Sequence, residues 1–221
     1  MCGRFTSLLP SELLSAIFEI FPPPVAEPRF NIAPTQTTGV VRSDGEHNKL
    51  VAMKWGLVPS WAKDTKIGTS LINARSETVA EKPSFRHAIK VNRCIIPASG
   101  FYEWQHIGGK KIPNYIRMAD EGVMAFAGIW EHWKDPENDL VLESFSILTT
   151  TSNKLIAPLH ERMPVILRKE YYDLWLNKNT QDPTELQYLY RPFPSDQLDM
   201  YPVSERMNSP RFTGPECIER I

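Results

Sequence analysis

Arg93-Cys94-Ile95-Ile96-Pro97, Gly100-Phe101-Tyr102-Glu103-Trp104-Gln105-His106 and Pro113-Asn114-Tyr115-Ile116-Arg117-Met118 follow one another with gaps of turn length. Apolar and aromatic residues dominate these stretches, and Gly108-Gly109 supplies a reversal between the second and the third. Strands so close in sequence pair antiparallel, because a parallel return needs a long crossover. That succession decides the fold.

The pattern extends in both directions. Residues 123–130 and 143–150 continue the sheet beyond the turn Asp120-Glu121-Gly122, and residues 165–167 and 200–203 add late strands. Upstream, residues 38–42 and 50–55 form a hairpin across Asp44-Gly45. Residues 11–21 place apolar side chains at 13, 14, 17, 18 and 21, which predicts a helix with Ser11 as N-cap, ended by Pro22-Pro23-Pro24. Shorter helices are expected at 85–91, 169–177 and 184–190. Residues 29–34, 55–61 and 159–164 read as loops, the second carrying Trp55 and Trp61. There is no βαβ alternation, phosphate-binding glycine loop or internal repeat. The expectation is an α+β fold. A single domain, 1–221, would carry a mainly antiparallel, barrel-like sheet flanked by a few helices.

With 221 residues, 42% hydrophobic and 23% charged, the chain has the composition of a soluble globular protein. No apolar run approaches transmembrane length, and the opening lacks a signal peptide's basic and apolar regions, so a cytoplasmic location is expected. Cys2, Cys94 and Cys217 are odd in number and far apart, which argues against a disulfide framework or a structural metal; none is expected, nor any cofactor. Cys94 reads as a core-strand residue and Cys217 as part of a tail. The net charge of −1 gives no global pull toward nucleic acid, so any DNA contact needs a local basic cluster.

The chain opens Met1-Cys2-Gly3-Arg4-Phe5-Thr6. Initiator methionine is normally trimmed ahead of a residue as small as cysteine. Cys2 would then hold a free α-amine beside its thiol. An α-amine has a pKa of about 8, so part of it is nucleophilic at neutral pH. The thiol is a nucleophile once ionised, with the amine as base or co-nucleophile. Gly3 leaves the backbone unobstructed, and the Arg4 cation lowers a neighbouring thiol's pKa and attracts anions. On these residues alone, a start codon ahead of a buried first strand is the plainer account.

Four further pieces carry polar groups in settings that read as buried or tightly turned. Asn73-Ala74-Arg75 follows an apolar pair. Strand alternation puts Phe101, Glu103 and Gln105 on one face, where desolvation would raise the Glu103 pKa toward the range of proton transfer. A glutamate at an open sheet edge fits the pattern equally well. His160, between Pro158 and Pro164, has the chemistry of a general acid, though a packed surface histidine is commoner. His47, His87, His106 and His132 suggest nothing. Arg75 and Arg162 could hold phosphates, and Trp55 and Trp61 could stack on bases, although core burial is the commoner fate of tryptophan.

Together the pieces resemble the SRAP family, the SOS-response-associated peptidase-like proteins that process abasic sites in DNA. The matching segments are Met1-Cys2-Gly3-Arg4-Phe5, Phe30-Asn31-Ile32-Ala33-Pro34, Trp55-Gly56-Leu57-Val58-Pro59-Ser60-Trp61 and Asn73-Ala74-Arg75-Ser76-Glu77-Thr78. Then come Pro97-Ala98-Ser99-Gly100-Phe101-Tyr102-Glu103-Trp104, His160-Glu161-Arg162-Met163-Pro164 and Pro202-Val203-Ser204, in family order over nearly the whole chain. The resemblance implies that the Cys2 amine captures the aldehyde of a ring-opened abasic deoxyribose and that the thiol closes a thiazolidine, a stable DNA–protein crosslink. It implies that Glu103 and His160 move protons and that Asn73 orients the amine. It gives Arg4, Arg75 and Arg162 the flanking phosphates, and has Trp55, Gly56, Asn31 and Pro34 line the DNA channel. Single-stranded or junction DNA would be the substrate and a monomer the working form, with Met1 removed by the protein itself or by an aminopeptidase. An N-terminal-nucleophile amidohydrolase of the glutamine amidotransferase kind also begins Met-Cys-Gly, but its pattern lacks the later motifs. A non-catalytic DNA-binding module is the third reading.

Overall fold

The alternating stretches become strands that close on themselves. A computed structural model describes residues 2–221. In chain order the strands are β1 (Phe5–Ser7), β2 (Arg29–Ile32), β3 (Thr37–Ser43), β4 (Asn48–Trp55), β5 (Asn73–Arg75), β6 (Arg93–Ala98) and β7 (Gly100–Ile107). They continue with β8 (Lys110–Met118), β9 (Met124–Lys134), β10 (Val141–Thr151), β11 (Arg162–Pro164), β12 (Ile166–Leu167) and β13 (Leu198–Pro202). Helices α1 (Ser11–Phe18), α2 (Ala88–Val91) and α3 (Tyr172–Leu176) flank them.

One sheet runs β13-β8-β7-β1-β2; the other runs β11-β10-β4-β3-β6-β9-β12, with β5 added on β10. Because β10 also pairs with β9, strands β10, β4, β3, β6 and β9 form a ring. The expected barrel-like α+β fold is what the structure shows. Its pairings are antiparallel except where β10 meets β4 and β5. Such closure removes the exposed edges of the strands it joins.

The Arg93–Ala98 run is buried at every position because both faces of β6 are covered. Ile95 faces Leu14, Phe18, Ile89 and Trp175 of the helical layer, whereas Cys94 and Ile96 share a second cluster with Cys2, Phe5 and Trp55. Phe5 is the pin for the N-terminus. Its ring meets Trp55 edge-on at 5.1 Å and Phe126 at 6.1 Å, and it is fully buried. Burial of a phenylalanine side chain stabilises by about 1.5–3 kcal/mol. Backbone pairing of Phe5 with Ile32 on one side and Phe101 on the other completes the anchorage.

Local pattern and structure part company where distant chain supplies a partner. Helix α1 ends at Phe18, not at 21: Glu19 turns left-handed (φ 54°) and Ile20 bridges to Asn48. Ser11 is not the N-cap, because Pro10 holds that place and the Ser11 hydroxyl accepts from Ala26 N–H instead. Residues 29–34, expected as loop, contain β2, because β1 offers it an edge; likewise β11 forms on β10. The 85–91 helix is reduced to α2, and 184–190 forms the 3-10 turn Pro183–Leu189. Cys217 is not in a loose tail: it is fully buried with Tyr102, Tyr201 and Met207 on the outer face of the five-stranded sheet. Among the described residues no helix is long and apolar enough to cross a membrane.

Gly56 marks where β4 leaves the barrel, at φ 120°. A Cβ there would lie 2.5 Å from the carbonyl oxygen of Gly68. Gly56→Ala is expected to cost roughly 2–4 kcal/mol, from strain at positive φ plus the clash with fixed backbone. Urea unfolding checks this, and a loss below about 1 kcal/mol would show that the Gly68 segment yields.

Candidate active site at the N-terminus

Anchored by Phe5, the chain start lies between the two sheets, and Cys2 has no exposed surface. Asn73 reaches it from β5, placed by its register with Ile147 of β10, and its Nδ2 donates to the Cys2 carbonyl at 2.9 Å. The expectation put Asn73 on the amine; among the described residues it holds the carbonyl. Its Oδ1 is buried without a hydrogen-bond donor among the described residues. An unfilled acceptor of this kind costs about 1–3 kcal/mol.

Glu103 enters from β7 on the Phe101 face, as strand alternation required, and is 3% exposed. Burial pushes its carboxyl up to about 6. The Cys2 thiol is also driven well above its ordinary value, first by burial and then by the charge of Glu103. This corrects the expectation that Arg4 lowers it. Arg4 turns away, donating to Asn31 Oδ1 at 2.8 Å and to the carbonyls of Met207 and Asn208 at 3.1 Å each. Cys2 is therefore a protonated thiol near neutral pH, with a largely ionised carboxyl within electrostatic reach.

Glu103 opens onto a cavity of about 470 Å³ whose other walls include His160, Trp104, His106, Lys111 and Asn208. His160 Nδ1 accepts from the Arg162 backbone N–H at 2.9 Å, so the neutral ring carries its proton on Nε2. Burial lowers the His160 pKa from 6.5, which favours that neutral form. The cavity thus brings together a carboxyl poised near 6 and an imidazole N–H donor. Among the described residues no cluster of His, Cys, Asp and Glu could hold a metal ion.

The three arginines expected on phosphates part ways. Arg162 is buried and donates to Glu77 Oε1 at 2.7 Å, Glu77 Oε2 at 2.8 Å and the Thr149 carbonyl at 2.6 Å. These bonds hold the Glu77 carboxyl below its usual range and leave Arg162 as a bracket between β11, β10 and the Ser76-Glu77 turn. Arg4 is half-buried and fastens the chain end to β2 and to the 207–208 turn. Arg75 is exposed, its nearest carboxylate oxygen being Glu161 Oε1 at 3.9 Å. Of the three, Arg75 has the guanidinium most open to solvent.

The expected channel residues are also reassigned. Trp55 is fully buried, stacked on Phe145 and donating Nε1–H to the Ile72 carbonyl, so it offers no face to a base. Gly56 serves a backbone turn, and Asn31 is buried, donating to the carbonyls of Met207, Ser209 and Phe212. Pro34 is half-buried beside them. Trp61, by contrast, is 59% exposed.

Sequence reasoning missed His106, Lys111, Trp104 and Asn208 as cavity walls. Alone in the sequence His106 suggests nothing, yet it pairs with Lys111 across the predicted hairpin, and that register is the available signal. Asn208 had none: it arrives from a distant segment, with Oδ1 accepting from Trp104 Nε1–H at 2.6 Å.

Residues 1–210 match the profile of a family described as SOS response associated peptidase (SRAP). The chain is 44% identical over 223 residues to abasic site processing protein YoqW of Bacillus subtilis (strain 168), covering 99% of each. It is 32% identical to abasic site processing protein HMCES of Gallus gallus, covering 88% of this chain and 66% of that one. A crystal structure of a protein from Bacteroides thetaiotaomicron superposes with a TM-score of 0.88 at 30% identity, over 100% of both chains.

Proposed function

The chain belongs to the SOS response associated peptidase family, and from that premise we propose that it processes abasic sites by joining its N-terminal cysteine to them. The observation that carries the reading is the juxtaposition of Cys2, Glu103 and Asn73 beside a cavity that also holds His160. Met1 lies outside the described residues; its removal, by the protein or by an aminopeptidase, would bare the Cys2 amine.

The chemistry then follows from protonation states. Glu103, as carboxylate, takes the proton of the sugar's anomeric hydroxyl and passes it to the ring oxygen, toward which neutral His160 donates a hydrogen bond through Nε2–H, and the aldehyde opens. The Cys2 amine adds to the aldehyde carbon. Glu103 then carries the two protons of the amine nitrogen in turn to the carbinol oxygen, which leaves as water, and an imine remains. Asn73 Oδ1 accepts from the amine and Asn73 Nδ2 fixes the adjoining carbonyl, so attack comes from a held nucleophile. Finally sulfur adds to the imine carbon, and the thiol proton passes through Glu103 to the nitrogen. Aldehyde and aminothiol become thiazolidine and one water. Because burial keeps the thiol protonated, this closure needs a proton acceptor near sulfur, and Glu103 is that group.

Single-stranded or junction DNA is the proposed partner, since an abasic sugar inside a duplex would have to be drawn out of the helix to reach this cavity. We take the protein to act as a monomer. An oligonucleotide with one abasic site, mixed with correctly trimmed protein, is expected to give a crosslinked band that survives denaturing electrophoresis. No band under those conditions overturns the proposal.

A further inference from the structure

We propose that the groove formed by β12 and the segment after α3 is a second contact for the lesion-bearing single strand, taking a base and its phosphates at a distance from the crosslinking cavity. The inference rests on the reading of the protein as one that binds damaged DNA. A cavity of about 380 Å³ lies there, walled by Arg168, Tyr171, Tyr188, Arg191, Pro192 and Phe193 among others. Arg168 and Arg191 are its only charged lining residues, and both are exposed. Neither guanidinium has a hydrogen-bond or ion-pair partner among the described residues.

Tyr188 is 45% exposed and stands edge-on to Tyr171, ring centroids 5.7 Å apart at 78°. A neighbouring ring that holds an aromatic face toward solvent, with two uncommitted cations beside it, has the elements of single-strand binding. The face stacks on any base, and the guanidiniums hold the flanking phosphates. The chain's charge balance adds a reason. At a net −1 the protein attracts a polyanion through local clusters alone, and Arg4 and Arg162 are engaged internally. Arg168 and Arg191 supply what those two do not.

Contacts link this groove to the cavity. His160 Nδ1 bonds Arg162 N–H, and Arg162 brackets Glu77. Glu77 lines a shallow depression with Ser76, Thr150, Gln187 and Tyr190, next to exposed Arg75. Thr150 Oγ1–H donates to the Tyr190 carbonyl at 2.5 Å, and the next residue is Arg191. Two carboxylates lie on this path, and each faces a cation: Glu77 is bonded to Arg162, and Glu161 stands 3.9 Å from Arg75, so a strand's phosphates can run from Arg75 to Arg168 along it.

The test compares two abasic strands, of about four and about 20 nucleotides, which bracket the roughly 4–16 that a compact single-strand site covers. For the unaltered protein the longer strand binds more tightly. In the double variant Arg168→Gln, Arg191→Gln the long-to-short affinity ratio falls. Its log–log salt slope for the long strand shrinks by about 1.4, at about 0.7 per phosphate contact. Tyr188→Ala loses about 5–150-fold on the long strand, the equivalent of 1–3 kcal/mol of stacking. An unchanged ratio and slope in variants that melt like the parent overturn the subsite. Displacement of the long strand by an equal concentration of free nucleoside monophosphate also overturns it, by making the groove a nucleotide site. If neither strand crosslinks, the crosslinking function fails, while the affinity ratio still decides the groove by itself.

Discussion

Cys2→Ala, in protein whose Met1 has been removed, is expected to give no adduct that withstands heating in denaturant, while still capturing the abasic aldehyde. The two halves of that result come from the two groups on one residue. The α-amine survives the substitution and forms the imine; the sulfur that would add to the imine carbon is gone. The imine is then exposed to hydrolysis and to β-elimination, so strand scission should rise as the stable band disappears. Borohydride added during the reaction should restore a band by reducing the imine. A variant that kept the stable band would show that sulfur does not close the ring. Truncation at a fully buried site also has a structural cost, which large-to-small core series place at up to a few kcal/mol. Borohydride trapping separates a misfolded variant, which gives no adduct, from a folded one that lacks only the thiol. Leaving Met1 in place should remove even the trapped adduct, because the α-amine then belongs to the wrong residue.

How far the sequence led toward this site depended on whether a residue's partners are local. The 100–118 hairpin was legible because Gly108-Gly109 fixes its reversal, and with it the face of Glu103. β1 and β2 were not legible as a pair, since Phe5 and Ile32 meet through tertiary packing alone. Cys2 was therefore recognisable as an N-terminal nucleophile but not as a buried one. Arginines show the same limit. Arg4, Arg75 and Arg162 are equivalent in sequence, and only the fold distinguishes one exposed cation from two that brace backbone and carboxylate. For Trp55, the default expectation of core burial described the residue better than its place in a DNA-binding motif did.

Glu103→Gln is expected to slow crosslinking by about 100-fold or more, the usual contribution of a positioned proton-transfer group. Affinity for an undamaged strand should change little, because Glu103 faces the cavity interior and not the basic surface. The pH profile makes the assignment specific. With its carboxyl at about 6, Glu103 accepts protons only when ionised, so the parent rate should fall as pH drops through 6. The glutamine variant should lose that limb; the same fall in both proteins would remove Glu103 from the mechanism. Stability should move the other way. A folded-state pKa raised above the ordinary 4.5 means that the fold favours the protonated carboxyl. Below about pH 4 folded and unfolded chains both carry that proton, and the shift costs nothing. As pH rises through 6 the folded chain must hold a desolvated carboxylate, and stability falls by about 2 kcal/mol relative to an unshifted group. Glu103→Gln, which cannot ionise, should therefore gain about 2 kcal/mol on the parent between about pH 4 and pH 8 by urea unfolding. A variant slower in chemistry and relatively more stable at high pH identifies a carboxylate buried for its reactivity. One slower and relatively less stable there would identify a structural residue instead.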